Sequence, residues 1–141
     1  RAGGQYGLAL AGPARVEALL EPLPRVGAEE PRAALVARIR GLSVVATHLS
    51  TDATARGLQT ERVASLAALQ EPPVIVLGDL NQPRRHLRAF RRRGFRALGS
   101  GPPWRRRIDH VVVGPGVVPQ RAEAIRTPAS DHPIVVVELA Y

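Results

Sequence analysis

Four apolar residues in a row, Val74-Ile75-Val76-Leu77, fenced by Pro72-Pro73 before and Gly78-Asp79 after, restrict the fold more than any other stretch of the sequence. A strand that is apolar at every position has no solvent face, so it has to be covered on both sides, which calls for a layered domain. The surrounding pattern agrees. Ala33–Ile39 and Leu42–His48 are apolar runs joined only by Arg40-Gly41, the spacing of a tight hairpin. Residues 54–69 place Leu58, Val63, Leu66 and Leu69 on one stripe, with Arg56, Glu61 and Arg62 off it, which predicts an amphipathic helix. Further strands are expected at residues 5–10, 16–23, 108–113 and 133–139, and a short basic helix at 86–93, stopped by Gly94. Several strands with two helices between them predict an α/β or α+β domain.

With 141 residues the chain can bury about 68% of the surface its unfolded form exposes, enough for one core. No apolar run approaches about 20 residues, which excludes a transmembrane helix. The absence of cysteine excludes a disulfide framework and a thiolate zinc site. The formal charge is +8, and all 20 basic residues are arginine. Arginine forks onto two phosphate oxygens at once, which suits a polyanionic partner. A GC-rich coding sequence would enrich Arg, Ala, Gly and Pro equally well, so the charge does not decide between the two. There is no methionine and the sequence opens on Arg1, so further residues are expected upstream. Cytoplasmic and secreted locations both stay open.

The polar residues that chemistry uses most are sparse and clustered. Of four Asp, one Asn and four His, three Asp, the Asn and three His fall in Thr47-His48, Gly78-Asp79-Leu80-Asn81, Ile108-Asp109-His110 and Ser130-Asp131-His132. Each segment lies at a predicted strand end, where side chains from neighbouring strands converge on ligands. Carboxylates without cysteine suit a hard cation, Mg²⁺ or Mn²⁺. An Asp109 carboxylate bonded to one nitrogen of His132 would fix its tautomer and raise the basicity of the other, making a general base for water. Asp79 and Asn81, as alternate residues leaving one strand, would point the same way, one orienting water and the other donating to a developing oxyanion.

Plainer readings stand beside these. Asp79 and Asn81 can close a strand-end turn on their own backbone, His48 can be a satisfied structural histidine, and Glu30, next to Glu29, can be a solvated charge. His110 should point away from Asp109 and is read as structural. The arginines at 84, 85, 88, 91–93 and 105–107 are either a solvated face or, with Trp104, an electropositive rim that holds a polyanion and stacks a base.

The ordered motifs T-H-L (Thr47 to Leu49), G-D-L-N (Gly78 to Asn81), R-I-D-H-V-V-V (Arg107 to Val113) and S-D-H-P-I (Ser130 to Ile134), with Glu30-Pro31-Arg32-Ala33-Ala34-Leu35 upstream, strongly resemble the endonuclease/exonuclease/phosphatase superfamily of deoxyribonuclease I-like fold. The resemblance implies a β-sandwich of two sheets flanked by helices, and Mg²⁺-dependent hydrolysis of phosphodiesters or phosphomonoesters. It implies that His132 is the catalytic histidine polarised by Asp109, and that Asp79 activates or positions water. Asn81 would bind the phosphoryl oxygen. Asp131, with Asp79 and Asn81, would belong to the metal site. His48 would contact phosphate as a second acid or base, Glu30 would orient it, and Arg32 would reach a phosphate oxygen.

The family's early Asn and its Q-E metal-ligand motif have no counterpart here, since Gln5 is followed by Tyr6. Residues 1–141 are therefore expected to be the C-terminal portion of one longer domain. The sequence then predicts a phosphoesterase acting on a phosphate ester, with nucleic acid among the candidate partners. The alternative is a non-catalytic remnant that keeps a basic phosphate-binding surface, with missing residues or a partner covering an exposed sheet face. A plain basic nucleic-acid-binding module is a third reading.

Overall fold

The computed structural model describes residues 7–13, 15–98 and 107–141. The elements run β1 (Ala18–Pro22), β2 (Ala33–Ile39), β3 (Leu42–His48), α1 (Ala53–Ala68), β4 (Val74–Asp79), a single 3-10 turn (Arg84–His86), α2 (Arg88–Arg92), β5 (Arg96–Ala97), β6 (Asp109–Val113), β7 (Val118–Ile125) and β8 (Ile134–Ala140). Six strands form one sheet in the order β1-β2-β3-β4-β6-β5, and β7 and β8 form a second. Only β3 and β4 run parallel among these pairs, because α1 carries the chain back across the sheet between them.

The local causes are legible in the residues. Arg40 and Gly41 both take left-handed conformations, with φ of 49° and 85°, as a two-residue hairpin turn between β2 and β3 requires. Asp52 starts α1 by accepting the backbone N–H groups of Thr54 and Ala55 at 2.9 and 2.8 Å. Along β4 the side chains alternate between two cores. Val74 and Val76 enter the core under the helices, with Val63, Leu66 and Phe90, while Ile75 and Leu77 face the core under the hairpin, with Val135, Val137 and Leu139. The apolar tetrad is thus covered on both faces, and the layers are helices, large sheet and hairpin. Among the described residues no helix is long and apolar enough to cross a membrane.

Three expectations need correction, and one strand, β7, was not expected. The buried face of α1 is not the Leu58–Leu69 stripe: Leu58 and Leu69 are 51% and 78% exposed, and Ala55, Gln59, Thr60, Val63, Ala64, Leu66 and Ala67 are buried instead. Small side chains let this helix approach the sheet closely, and two polar ones are buried because they are bonded. Residues 7–10 form no strand, and Gln5 and Tyr6 lie outside the described residues. The basic helix divides into the 3-10 turn and the short α2. Finally, β7 was hidden by Pro119, which sits where the β7–β8 register shifts between Pro119 and Arg121.

Candidate active site

Register builds the site. His48 closes β3, Asp79 closes β4 and Asp109 opens β6, and the pairings His48↔Asp79 and Asp79↔Asp109 set them in one row across three strands. Alternation gives the row the same face as Val44, Ile75, Val111 and Val113, the face toward the hairpin. His110, one residue along, turns to the helix side, where its Nε2 lies 2.9 Å from the Gln82 carbonyl, so it is the structural histidine expected. Burial holds its pKa below the ordinary 6.5.

The row depends on Gly78. A Cβ there would lie 1.8 Å from the Thr47 carbonyl oxygen, and its φ of +139° disfavours any other residue. Beyond Asp79 the chain leaves the sheet, so Asn81 is not aimed by strand alternation. Asn81 has a φ of 49° in a turn closed by its own N–H donating to Asp79 Oδ1 at 2.8 Å, and its Nδ2 donates to the Leu49 carbonyl at 2.8 Å. The strand-end turn and the functional placement are therefore compatible, because the turn fixes one oxygen of Asp79.

His132 arrives from the loop before β8. Its Nδ1 lies 2.9 and 3.0 Å from the two oxygens of Asp109, so the neutral ring carries its proton on Nδ1 and leaves Nε2 as a base. The hydrogen bond to Asp109, and then the charge of Asp109, raise the pKa of His132 above 6.5. On the far side of the row, His48 Nε2 lies 3.4 Å from Asp79 Oδ2. The pKa of His48 is lowered instead, first by burial and then by the Arg32 guanidinium. Arg32 pairs with Glu30 at 3.2 Å, and the Glu30 charge in turn favours protonated His48. His48 and Arg32 share an apolar hollow of about 210 Å³ with Leu8, Leu20 and Leu35.

Asp79, Asp109 and His132 can each offer one ligand atom, all within 4.8 Å of one another. Of the expected metal residues Asp79 is in this cluster, Asp131 is exposed on the pocket that His132 and Asp109 line, and Asn81 is held in the turn after Asp79 with its Nδ2 donating to the Leu49 carbonyl.

Sequence reasoning passed over the residues that hold the site's loops. Gln59 accepts the Ser50 N–H at 2.7 Å and donates to the Pro24 carbonyl at 3.0 Å, and Gln82 Nε2 donates to Thr60 Oγ1 at 2.7 Å. These buried bonds tie the loops after β3 and β4 to α1. Polar residues interrupting a helix's apolar face were their only signal. The arginine rim also reads differently. Arg92 and Arg93 pair with Glu61, and Arg91 donates to the Arg84 and Arg85 carbonyls, so these three fasten α2 rather than stand free. Trp104, Arg105 and Arg106 lie outside the described residues.

The sequence model of the Endonuclease/Exonuclease/phosphatase family matches residues 4–132. The chain belongs to that family. No curated protein sequence matches it. Similar solved structures include an endonuclease/exonuclease/phosphatase from Beutenbergia cavernae (TM-score 0.68, 20% identity, covering 87% of this chain and 44% of that one). Humanized D. rerio TDP2 is similar with a TM-score of 0.63 at 20% identity, over 90% of this chain and 66% of that one. The inositol polyphosphate 5-phosphatase domain of SpSynaptojanin, in complex with inositol (1,4)-bisphosphate and calcium ion, has a TM-score of 0.59 at 13% identity, over 87% and 53%. These likenesses establish the deoxyribonuclease I-like fold for this family member, which spans 44% to 66% of the length of those three structures.

Proposed function

We propose that this chain is the C-terminal portion of a phosphoesterase domain that hydrolyses a phosphodiester or phosphomonoester with activated water. Membership in a family of phosphoester hydrolases supports the reaction class. The observation that carries the reading is the His132–Asp109 pair at 2.9 Å, with Asp79 brought within 4.8 Å of both.

In this reading Asp109 holds His132 by Nδ1, and Nε2 takes the proton of the attacking water. Asp79 orients that water, with one of its oxygens fixed by the Asn81 backbone. The Asn81 side-chain amide has a second N–H beyond the one given to Leu49, and this donates to the phosphoryl oxygen. His48, kept neutral by burial, contacts phosphate together with Arg32, and Glu30 orients this pair through its bond to Arg32. The site suits Mg²⁺ or Mn²⁺ by the chemistry of its donors, which are carboxylates with no thiolate. Asp79, whose carboxylate lies within 4.8 Å of Asp109 and His132, would hold the ion, with Asp131 and Asn81 as its further expected ligands. A bound cation would supply charge stabilisation at the phosphoryl oxygens.

The test is hydrolysis of bis(p-nitrophenyl) phosphate and p-nitrophenyl phosphate, with Mg²⁺ and with EDTA, by this chain and by one extended upstream. Turnover that needs Mg²⁺ and falls at least about 100-fold in His132→Ala is expected. Full activity in that variant overturns the mechanism.

A second reading has its own observation. Leu20, on the hairpin-side face of the sheet, is 61% exposed, and the chain spans 44% of the Beutenbergia cavernae protein. A non-catalytic portion that binds phosphate, its open face covered by further polypeptide or a partner, predicts binding without turnover in both chains.

A further inference from the structure

Asn81 sits where two loops meet, in a backbone conformation that has to be held. Its φ of 49° is left-handed, which disfavours residues other than glycine. Relaxation toward negative φ would swing the carboxamide off the Leu49 carbonyl, to which its Nδ2 donates at 2.8 Å. The residues on either side oppose this. Before it, the Leu80 N–H donates to the Ile108 carbonyl at 2.8 Å, and after it the Gln82 carbonyl accepts from His110 Nε2 at 2.9 Å. A carbonyl can only accept, so His110 carries a proton on Nε2. Both flanks of Asn81 are thus pinned to residues two apart on one stretch of chain.

Gln82 is gripped a second time, from α1. Its Nε2 donates to Thr60 Oγ1 at 2.7 Å, and the Thr60 hydroxyl donates onward to the Arg56 carbonyl at 2.7 Å. One residue earlier on the same helix, Gln59 accepts the Ser50 N–H at 2.7 Å. Consecutive helix residues therefore hold the loop after β3, whose Leu49 carbonyl receives the Asn81 side chain, and the loop after β4, which carries Asn81. Thr60, Gln82 and His110 are all buried, and none lines either cavity beside the row of Asp79 and Asp109. Their bonds act on the chain and not on a ligand. An amide, a hydroxyl and an imidazole in an interior position add little net stability, because water would serve them nearly as well. What they add is direction, since each donor here meets one acceptor.

We propose that Gln82, held between Thr60 and His110, is a positioning residue for Asn81, fixing the turn so that the second N–H of the Asn81 carboxamide stays aimed at the phosphoryl oxygen. This rests on the phosphoesterase reading for what that N–H meets. Thr60 acts through Gln82, so α1, which contributes no group to the row, sets the geometry at its edge. Neither Gln82 nor Thr60 touches the reacting atoms.

Thr60→Val removes the acceptor with little change of shape, Thr60→Ser keeps it, and Gln82→Met removes the donor at the other end of the same bond. Hydrogen exchange on this chain reads the turn without requiring turnover. The Asn81 amide, bonded to Asp79 Oδ1, should exchange at least about fivefold faster in Thr60→Val and Gln82→Met, measured against the amides of β4, and return toward its original rate in Thr60→Ser. A general loss of stability would speed both sets alike. Turnover of bis(p-nitrophenyl) phosphate with Mg²⁺, by this chain and by the one extended upstream, should show kcat about tenfold lower in Thr60→Val and Gln82→Met with KM within about twofold. In an Asn81→Ala background, Thr60→Val should change kcat by less than about twofold, whereas a merely structural loss would lower it equally in both backgrounds. Thermal melting checks that the variants fold, and Gln82→Met supplies the same readings where Thr60→Val does not. Asn81 exchange that keeps pace with β4, or kcat losses that multiply with that of Asn81→Ala, overturns the positioning role. Faster Asn81 exchange in a chain without hydrolytic activity overturns the phosphoesterase reading and leaves the tether on Asn81 standing.

Discussion

The large sheet and the β7–β8 hairpin meet at one pair of side chains, Asp109 and His132, but reach it with different support. Asp109 begins a strand whose next four residues are all buried, paired with β4 on one side and β5 on the other. His132 precedes a strand that pairs only with β7, and no residue of β8 is fully buried. One partner is therefore fixed by a two-sided core and the other by a half-exposed ribbon. Two strands alone are marginal in water, so His132 owes its position to the apolar contacts of Val135, Val137 and Leu139 with the large sheet. The difference separates what holds the fold from what completes the site.

The largest expected effect comes from breaking the sheet side. Gly78→Val should cost about 4 kcal/mol or more, because it drives a branched side chain into the Thr47 carbonyl at a left-handed φ. Urea unfolding would measure it, and a loss below about 1 kcal/mol would show that β3 and β4 can separate without consequence. Next comes a matched pair of truncations. Val76→Ala, at a fully buried position, should cost about 2–3 kcal/mol, whereas Val137→Ala in the half-buried hairpin should cost about 1 kcal/mol. The hairpin variant should nevertheless disturb the His132 ring more, seen as a larger change in its NMR shifts. Equal stability losses would erase the distinction between the two regions.

The smallest effects are in titration, and they should have opposite signs. Asp109→Asn should bring the pKa of His132 down toward 6.5 while leaving that of His48 below it, as followed by ring-proton NMR. A raised folded pKa contributes stability below 6.5 that disappears as pH rises through it, so this variant should lose more stability at about pH 5.5 than at about pH 9. His48, with its lowered pKa, favours folding above 6.5 and weakens it as pH falls through that value, so His48→Gln should lessen destabilisation by acid. A His132 pKa that Asp109→Asn leaves unmoved would mean that the hairpin does not hold the pair together in solution.

The parts of this arrangement that were readable in the sequence are those governed by strict local rules. The Val74 to Leu77 run, the Arg40-Gly41 turn and the alternation that parts Asp109 from His110 each follow from a period of two or a required backbone conformation. Asp79, Asp109, His48 and His132 stood out because such residues are rare in this chain and fall at strand ends. The elements that escaped depend on partners distant in sequence. Gln59 and Thr60 look like ordinary polar helix positions until Ser50, Pro24 and Gln82 are placed around them. Leu58 and Leu69 satisfy the helical period and still face solvent, because the sheet below α1 takes its alanines instead.

The Asp79↔Asp109 register has a consequence for how such a chain can vary. It is clamped at both ends, by Leu80 N–H to the Ile108 carbonyl and Gly114 N–H to the Val74 carbonyl, both at 2.8 Å. A slip of one residue would exchange Asp109 for His110 on the inner face, removing the carboxylate from His132 and burying it against the helices. Which side chain faces His132 is thereby decided by backbone hydrogen bonds at the two ends of the pairing.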